Sequence, residues 1–216
     1  MIPHRCLKID MGDLYAQHND LMLVETKGKH RLTSRRHILK LAKPGLIGAE
    51  IGVFTGMFAE VLDRDLRPNT LYLVDPWEKL HGEFFPNWGN YSANQPLKAA
   101  TAQKATEYRA SLFIAKTEVY AGFLEDWAAK FSEPILDWAY LDASHEYGAV
   151  YRSLKLIGAM LQKNGIIFGD DCWIKPNGYK SDVFYAVRDF TKDHDYQYLR
   201  LDGHGQWAIT RLNGDE

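Results

Sequence analysis

From residue 46 to residue 211, short apolar strand-like runs alternate with helical stretches, and only Asp202, Gly203, His204 and Gly205 separate the last two runs. Alternation at this spacing calls for parallel strands joined by crossover helices, with the sheet covered on both faces. A connection as short as the last one cannot cross over and must be a hairpin, so one strand runs antiparallel. The expected architecture is therefore a single doubly wound α/β domain with a mostly parallel sheet and a terminal antiparallel hairpin.

Strands are expected at residues 46–54, 71–74, 112–115, 136–141, 165–169, 196–201 and 206–211. Helices are expected at 58–66, 97–110, 122–131, 147–162 and 182–192. Ahead of the first strand, residues 18–25 suit a short helix and residues 33–42 a better one. Thr33 can cap the second, Ile38, Leu39 and Leu41 give it an apolar side, and Pro44-Gly45 stops it. The chain thus divides into an N-terminal helical extension, residues 1–32, capping a main domain, residues 33–216.

Composition narrows the function. A formal net charge of −2 over 216 residues argues against nucleic acid or an anionic membrane as a partner. Two cysteines, Cys6 and Cys172, are too few for a disulfide framework and suit a reducing cytoplasm. No apolar run approaches the roughly 20 residues of a membrane span, and no signal peptide is expected. Apolar residues in the N-terminal segment are available for a homodimer.

Open parallel sheets bind ligands beyond the carboxyl ends of their strands, where the winding reverses. The first strand ends in Glu50-Ile51-Gly52-Val53-Phe54-Thr55-Gly56. Gly52 and Gly56 let the backbone turn sharply against a ligand. Asp75 ends the second strand, 23 residues after Gly52, where a carboxylate can accept the hydroxyls of a ribose. The dinucleotide fingerprint G-x-G-x-x-G is absent, because Phe54 and Met57 stand where it needs glycines. A nucleoside without a pyrophosphate fits better. Taken singly, these features also have plainer readings: glycines that serve packing, Asp75 starting a turn before Pro76, and Trp77 in the core.

The Glu50-x-Gly52-x-x-x-Gly56 turn, the acid after the second strand and the terminal hairpin resemble the Rossmann-like class I S-adenosylmethionine-dependent methyltransferases, over roughly residues 33–211. Residues 137–173 are similar to the macrocin O-methyltransferase group and, more distantly, to metal-dependent catechol-type O-methyltransferases. The resemblance implies S-adenosyl-L-methionine as cofactor. Glu50, Gly52, Gly56 and Asp75 would then surround its methionine and ribose parts. Thr117 and Glu118, expected after the third strand, would face the adenine with Trp77, and Asp142 would lie close by.

Asp142 ends the expected fourth strand and Asp170-Asp171 follow the fifth. Neighbouring strands lie about 5 Å apart, so three carboxylates should converge on one rim and repel. A hard divalent cation such as Mg²⁺ would relieve that repulsion. The resemblance implies such a metal on Asp142, Asp170 and Asp171, orienting a substrate hydroxyl. His145, three residues after Asp142, is the candidate general base, where catechol-type enzymes place a lysine; Asp142 and Ser144 are weaker candidates. His145 could instead cap the next helix.

Residues 78–96 read as a lid, and residues 173–181 as a second loop at the rim. Phe84, Phe85, Trp88, Tyr91, Trp173 and Tyr179 are candidate pocket residues. The expected function is metal-assisted O-methylation of a small hydroxylated molecule. Alternatives are metal-independent methylation of nitrogen or carbon, a Rossmann-type oxidoreductase, and a non-catalytic cofactor-binding module.

Overall fold

The computed structural model describes residues 9–202 and 204–212. Two helices lead the chain, α1 (Gly12–Gln17) and α2 (Asn19–Arg35), followed by a 3-10 turn, Arg36–Leu41. Then come β1 (Ile47–Ile51), α3 (Met57–Leu66), β2 (Thr70–Asp75), α4 (Glu78–His81), α5 (Ala99–Ala110), β3 (Lys116–Ala121), α6 (Leu124–Ala128) and β4 (Leu136–Leu141). The chain ends with α7 (Tyr147–Met160), β5 (Leu161–Trp173), α8 (Asp182–Asp193), β6 (Tyr196–Leu201) and β7 (His204–Arg211). No helix among the described residues is long and apolar enough to cross a membrane.

The strands form one seven-stranded sheet in the order β3-β2-β1-β4-β5-β7-β6. β1 pairs in parallel with both β2 and β4, so the winding reverses between β1 and β4. β7 runs antiparallel to β5 and β6, as the short hairpin requires.

Alternation along the strands sends side chains to two cores. Leu71, Leu73, Trp138, Tyr140 and Phe168 face α2, α3 and α5. Val74, Ala139, Leu141, Ile167 and Ile209 face α6, α7 and α8.

Three boundaries differ from expectation. Residues 19–25 and 33–35 belong to one helix, α2, with Thr33 in its last turn rather than at a cap. No proline interrupts residues 19–35, so nothing stops the helix at residue 32, and the division at 32/33 falls inside it. The third strand is Lys116–Ala121, not residues 112–115. The apolar run at 112–115 is the approach to that strand, with Ile114 85% exposed. β3 is an edge strand in which exposed and half-buried residues alternate at first, and alternation rather than continuous apolarity marks such a strand. Finally, β5 extends through Asp170 and Asp171, with an irregularity in its pairing to β7 between Gly169 and Cys172.

Candidate active site

The parallel ladder continues one step beyond several strand ends. Gly52 N–H donates to the Val74 carbonyl, Asp142 N–H to Ile51 and Gly122 N–H to Asp75, at 2.9, 2.9 and 3.0 Å. These bonds set Gly52, Asp75, Gly122 and Asp142 on one rim, at the reversal of winding. Gly52 has φ +89°, and a Cβ there would lie 2.2 Å from the Asp142 carbonyl oxygen, so only glycine lets the two strand ends approach. Gly56, at φ +77°, starts α3 against Thr106.

Asp75 organises this turn. Its Oδ2 accepts Val53 N–H at 2.8 Å and Phe54 N–H at 3.0 Å, and its Oδ1 accepts Trp77 N–H at 2.8 Å. Burial pushes its pKa up against these bonds. Three of about four acceptor positions on a carboxylate are thus occupied, which leaves Asp75 room for one ligand hydroxyl, not two. Trp77 is fully buried and donates its indole N–H to the Phe54 carbonyl at 2.8 Å. It supports the turn from the core and offers no face to an adenine.

Thr117 and Glu118 lie inside β3, paired with Leu71 and Tyr72, three to four residues short of the rim that Asp75 and Ala121 share. At about 3.3 Å per residue they stand roughly 10 Å below it. Gly122 and Phe123 hold the rim position expected of them; the misplaced third strand is the cause.

Glu50 is 2% exposed, and its Oε2 has no hydrogen-bond partner. Burial, reinforced by the charge on Asp142, pushes its pKa well above the ordinary carboxylate range. A buried carboxylate with one oxygen left unpartnered next to the glycine turn suits a ligand that brings its own positive charge.

The acidic residues converge, but not as three equivalent neighbours. Arg35, at the end of α2, reaches into the rim. Its Nη1 lies 2.6 Å from Asp142 Oδ2, and its Nη2 pairs with Asp170 Oδ2. Asp170 Oδ1 also accepts Gln206 Nε2 at 2.5 Å and Asp171 N–H at 2.8 Å. Burial still raises the Asp170 pKa to about 6, with Arg35 opposing and Asp142 and Asp171 adding to the rise. Both Asp170 oxygens are engaged within the protein, so it is poorly disposed to be the ligand the sequence suggested. Asp171 turns the other way, at φ 60°. Its Oδ2 lies 2.9 Å from His145 Nε2, and its Oδ1 accepts the Trp173 indole N–H at 2.9 Å. Burial alone would raise the Asp171 pKa, but the bond and charge of His145, the Trp173 bond and the Arg35 charge together outweigh it and hold the group low. Asp142 Oδ1 is 4.0 Å from the same His145 nitrogen. The carboxylates of Asp142 and Asp171 push the His145 pKa up to about 10.

One ligand atom from each of Asp142, His145 and Asp171 lies within 4.8 Å of the others. His145 therefore stands where the third ligand was expected. Arg35 escaped the sequence reading because nothing in its local pattern separates it from its neighbour Arg36, which binds Asp65 on the surface.

Residues 78–96 lie against the glycine turn. Phe54 touches the rings of Phe85, Trp88 and Tyr91, with centroids 4.8, 5.5 and 5.9 Å away. Arg31 of α2 stacks over Tyr91 at 4.0 Å. Burial pushes the Tyr91 hydroxyl up to about 12. Phe84 and Tyr179 are exposed.

A methyltransferase domain family model matches residues 47–172, more than half of the 216. The chain belongs to this methyltransferase family. No curated protein sequence matches the methyltransferase. Its fold is similar to that of an O-methyltransferase from Bacillus cereus solved with S-adenosylhomocysteine, at 12% identity and TM-score 0.58, over 97% of this chain and 94% of that one. It is similar also to a proposed O-methyltransferase from Klebsiella pneumoniae, at 14% identity and TM-score 0.55, over 97% and 93%. A proposed rRNA methylase from Clostridium thermocellum resembles it at 12% identity and TM-score 0.56, over 85% and 97%. At these identities the likeness is one of fold.

Proposed function

We propose that this methyltransferase uses S-adenosylmethionine to methylate an oxygen of a small hydroxylated molecule, with a divalent cation held by Asp142, His145 and Asp171. The observation that carries the reading is the convergence of those three side chains within 4.8 Å, on the rim that also bears the glycine turn. An imidazole beside two carboxylates suits Mn²⁺, Fe²⁺ or Zn²⁺ better than Mg²⁺, which prefers oxygen ligands alone. The Mg²⁺ expected from three aspartates is replaced accordingly.

Each group has a task. The 52–56 turn and Gly122 would border the cofactor, and Glu50 would meet its ammonium group. Asp75 keeps one acceptor position for a ribose hydroxyl while it shapes the turn. A bound cation would lower the pKa of the acceptor hydroxyl and orient its oxygen. His145 is engaged with Asp171, so we assign it to cation binding rather than to the base role. Arg35 balances Asp142 and Asp170, and Tyr91 with Trp88 closes the site from above.

A second reading, methyl transfer without a metal, draws on the same contacts. Arg35 on Asp142 and Asp170, with His145 on Asp171, already offsets much of the carboxylate repulsion. The discriminating experiment is a thermal-shift series with S-adenosylhomocysteine, NAD, Mn²⁺ and Mg²⁺. Ligands that bind only the folded state raise the melting temperature by mass action. The leading reading expects shifts with S-adenosylhomocysteine and Mn²⁺ and none with NAD. A shift with S-adenosylhomocysteine and none with any divalent cation would favour the metal-free reading.

A further inference from the structure

Behind the glycine turn lies a buried ion pair that the proposed chemistry does not use. Arg109 of α5 and Glu25 of α2 are 3% and 1% exposed. Arg109 grips Glu25 with both prongs, Nη1 to Oε1 at 3.0 Å and Nη2 to Oε2 at 2.7 Å. The Tyr15 hydroxyl donates to the same Oε2 at 2.5 Å, and Glu60 Oε2 lies 3.6 Å from Arg109 Nε. Removing two charges from water is costly, and well-packed apolar residues often stabilise such a place as well or better. The pair therefore calls for a role besides stability.

Its remaining contact supplies one. Arg109 Nη1 also donates to the Thr55 carbonyl, inside the turn, at 2.8 Å. In a trans peptide the C=O and the following N–H point in opposite directions. Holding the Thr55 carbonyl toward α5 therefore fixes the Gly56 N–H, which donates to the Val53 carbonyl at 3.0 Å. The preceding peptide is held similarly. The Phe54 carbonyl accepts Trp77 Nε1 at 2.8 Å and Thr106 Oγ1 at 3.3 Å, which aims the Thr55 N–H away from α5. Phe54 has φ 58°, a left-handed conformation that costs a bulky residue energy and persists only where its surroundings insist on it.

We propose that Arg109, oriented by Glu25, is a positioning residue that holds the Thr55–Gly56 peptide of the cofactor turn in its binding geometry. The proposal rests on the assignment of that turn to S-adenosylmethionine. It also gives α2 two tasks, since the helix that presents Glu25 to Arg109 carries Arg35 to Asp142 and Asp170.

The test is titration calorimetry with S-adenosylhomocysteine on the full chain, at a temperature well below every variant's Tm. Hydrogen exchange of residues 52–56 is followed in the wild type with and without the ligand. Arg109→Lys keeps the charge and loses the fork; Glu25→Gln keeps the shape and loosens the grip. Leu21→Ala is the control, because Leu21 is fully buried in α2 and its loss lowers Tm while removing none of the hydrogen bonds that hold the turn. The expected result is slowed exchange of the turn in the wild type. The Kd should rise about tenfold in Arg109→Lys and Glu25→Gln, the worth of one charge-assisted hydrogen bond, and stay unchanged in Leu21→Ala. Should Arg109→Lys not fold, Glu25→Gln decides. A turn that slows with ligand while these variants bind as tightly as Leu21→Ala would make the pair merely structural and overturn the proposal. Binding to the wild type without slowed exchange of the turn would overturn the cofactor assignment, and the proposal with it.

Discussion

Arg35 Nη1 stands 2.6 Å from Asp142 Oδ2, a contact that spans 107 positions in the chain and joins the N-terminal helix to the end of β4. The same guanidinium holds Asp170 at the end of the neighbouring strand. One arginine thus occupies one oxygen of Asp142 and, with Gln206 and the backbone, takes Asp170 out of competition for a cation, while Asp142 Oδ1 stays beside the Asp171–His145 pair.

Removing that arginine should be expensive. The Arg35, Asp142 and Asp170 side chains are 9%, 14% and 10% exposed, and breaking a buried pair by deleting one partner costs about 3–5 kcal/mol because it strands a charge. Arg35→Met is therefore expected to lose about that much stability in urea unfolding at pH 7. Divalent cations should restore part of it, since they can replace the missing charge. A loss under about 1 kcal/mol, the range of exposed ion pairs, would show that the contact contributes little.

The mostly parallel sheet and the hairpin could be read from the sequence because both depend on local pattern: strands alternating with helices along the chain, and a connection between β6 and β7 too short to cross over. β3 was misplaced because an edge strand is only half apolar, and the misplacement carried Thr117 and Glu118 to the wrong end of the sheet. The carboxylates were legible as a group, since residues at neighbouring strand ends must meet. How they divide was not, because the division depends on Arg35 and Gln206, which arrive from distant parts of the chain. Trp77 illustrates a related limit: its position beside Asp75 was plain, but not whether its ring faced a ligand or the core.

Glu50 should make stability depend on pH. Its pKa in the folded state is raised, by burial first and Asp142 second. A raised pKa means that the group leaves stability intact below its unfolded value, near 4.3 for glutamate, and lowers stability as pH climbs above it, by up to about 1.4 kcal/mol per unit. Glu50→Gln should match the wild type near pH 4 and exceed it in Tm at pH 7. S-adenosylhomocysteine brings an ammonium group, so its binding to the wild type should release a proton, visible as heats that vary with the buffer's ionisation enthalpy. Equal Tm differences at both pH values would show that Glu50 ionises freely.

The segment at 78–96 should respond to ligands. Trp88 is 42% exposed yet lies within 5.5 Å of Phe54 in the glycine turn, so a ligand at the turn must disturb its ring contacts. Wild type should change its tryptophan emission on adding S-adenosylhomocysteine, and Trp88→Phe should lose most of the change. Limited proteolysis within 78–96 should slow when the ligand is present. Emission and cleavage that ignore a bound ligand would make the segment a fixed wall.

The last prediction separates two roles for His145. As a ligand beside Asp142 and Asp171, it should matter to cation binding before any acceptor is present. His145→Ala should then weaken Mn²⁺ binding about 10- to 100-fold and leave S-adenosylhomocysteine affinity nearly unchanged. Asp171→Asn should do the same, since it loses one charge from the same set. Asp170→Asn should weaken Mn²⁺ binding less, because both Asp170 oxygens are already engaged by Arg35, Gln206 and the backbone. As a general base, by contrast, His145 should leave Mn²⁺ affinity untouched, and its removal should appear only as lost kcat and a vanished acid limb once an acceptor is supplied. Calorimetry with Mn²⁺ on these three variants needs no acceptor and can be done first. Should His145→Ala bind Mn²⁺ as well as wild type while Asp171→Asn does not, the imidazole is not a ligand and the base role returns. Equal Mn²⁺ binding by all three variants would place any cation elsewhere and favour methyl transfer without a metal at this rim.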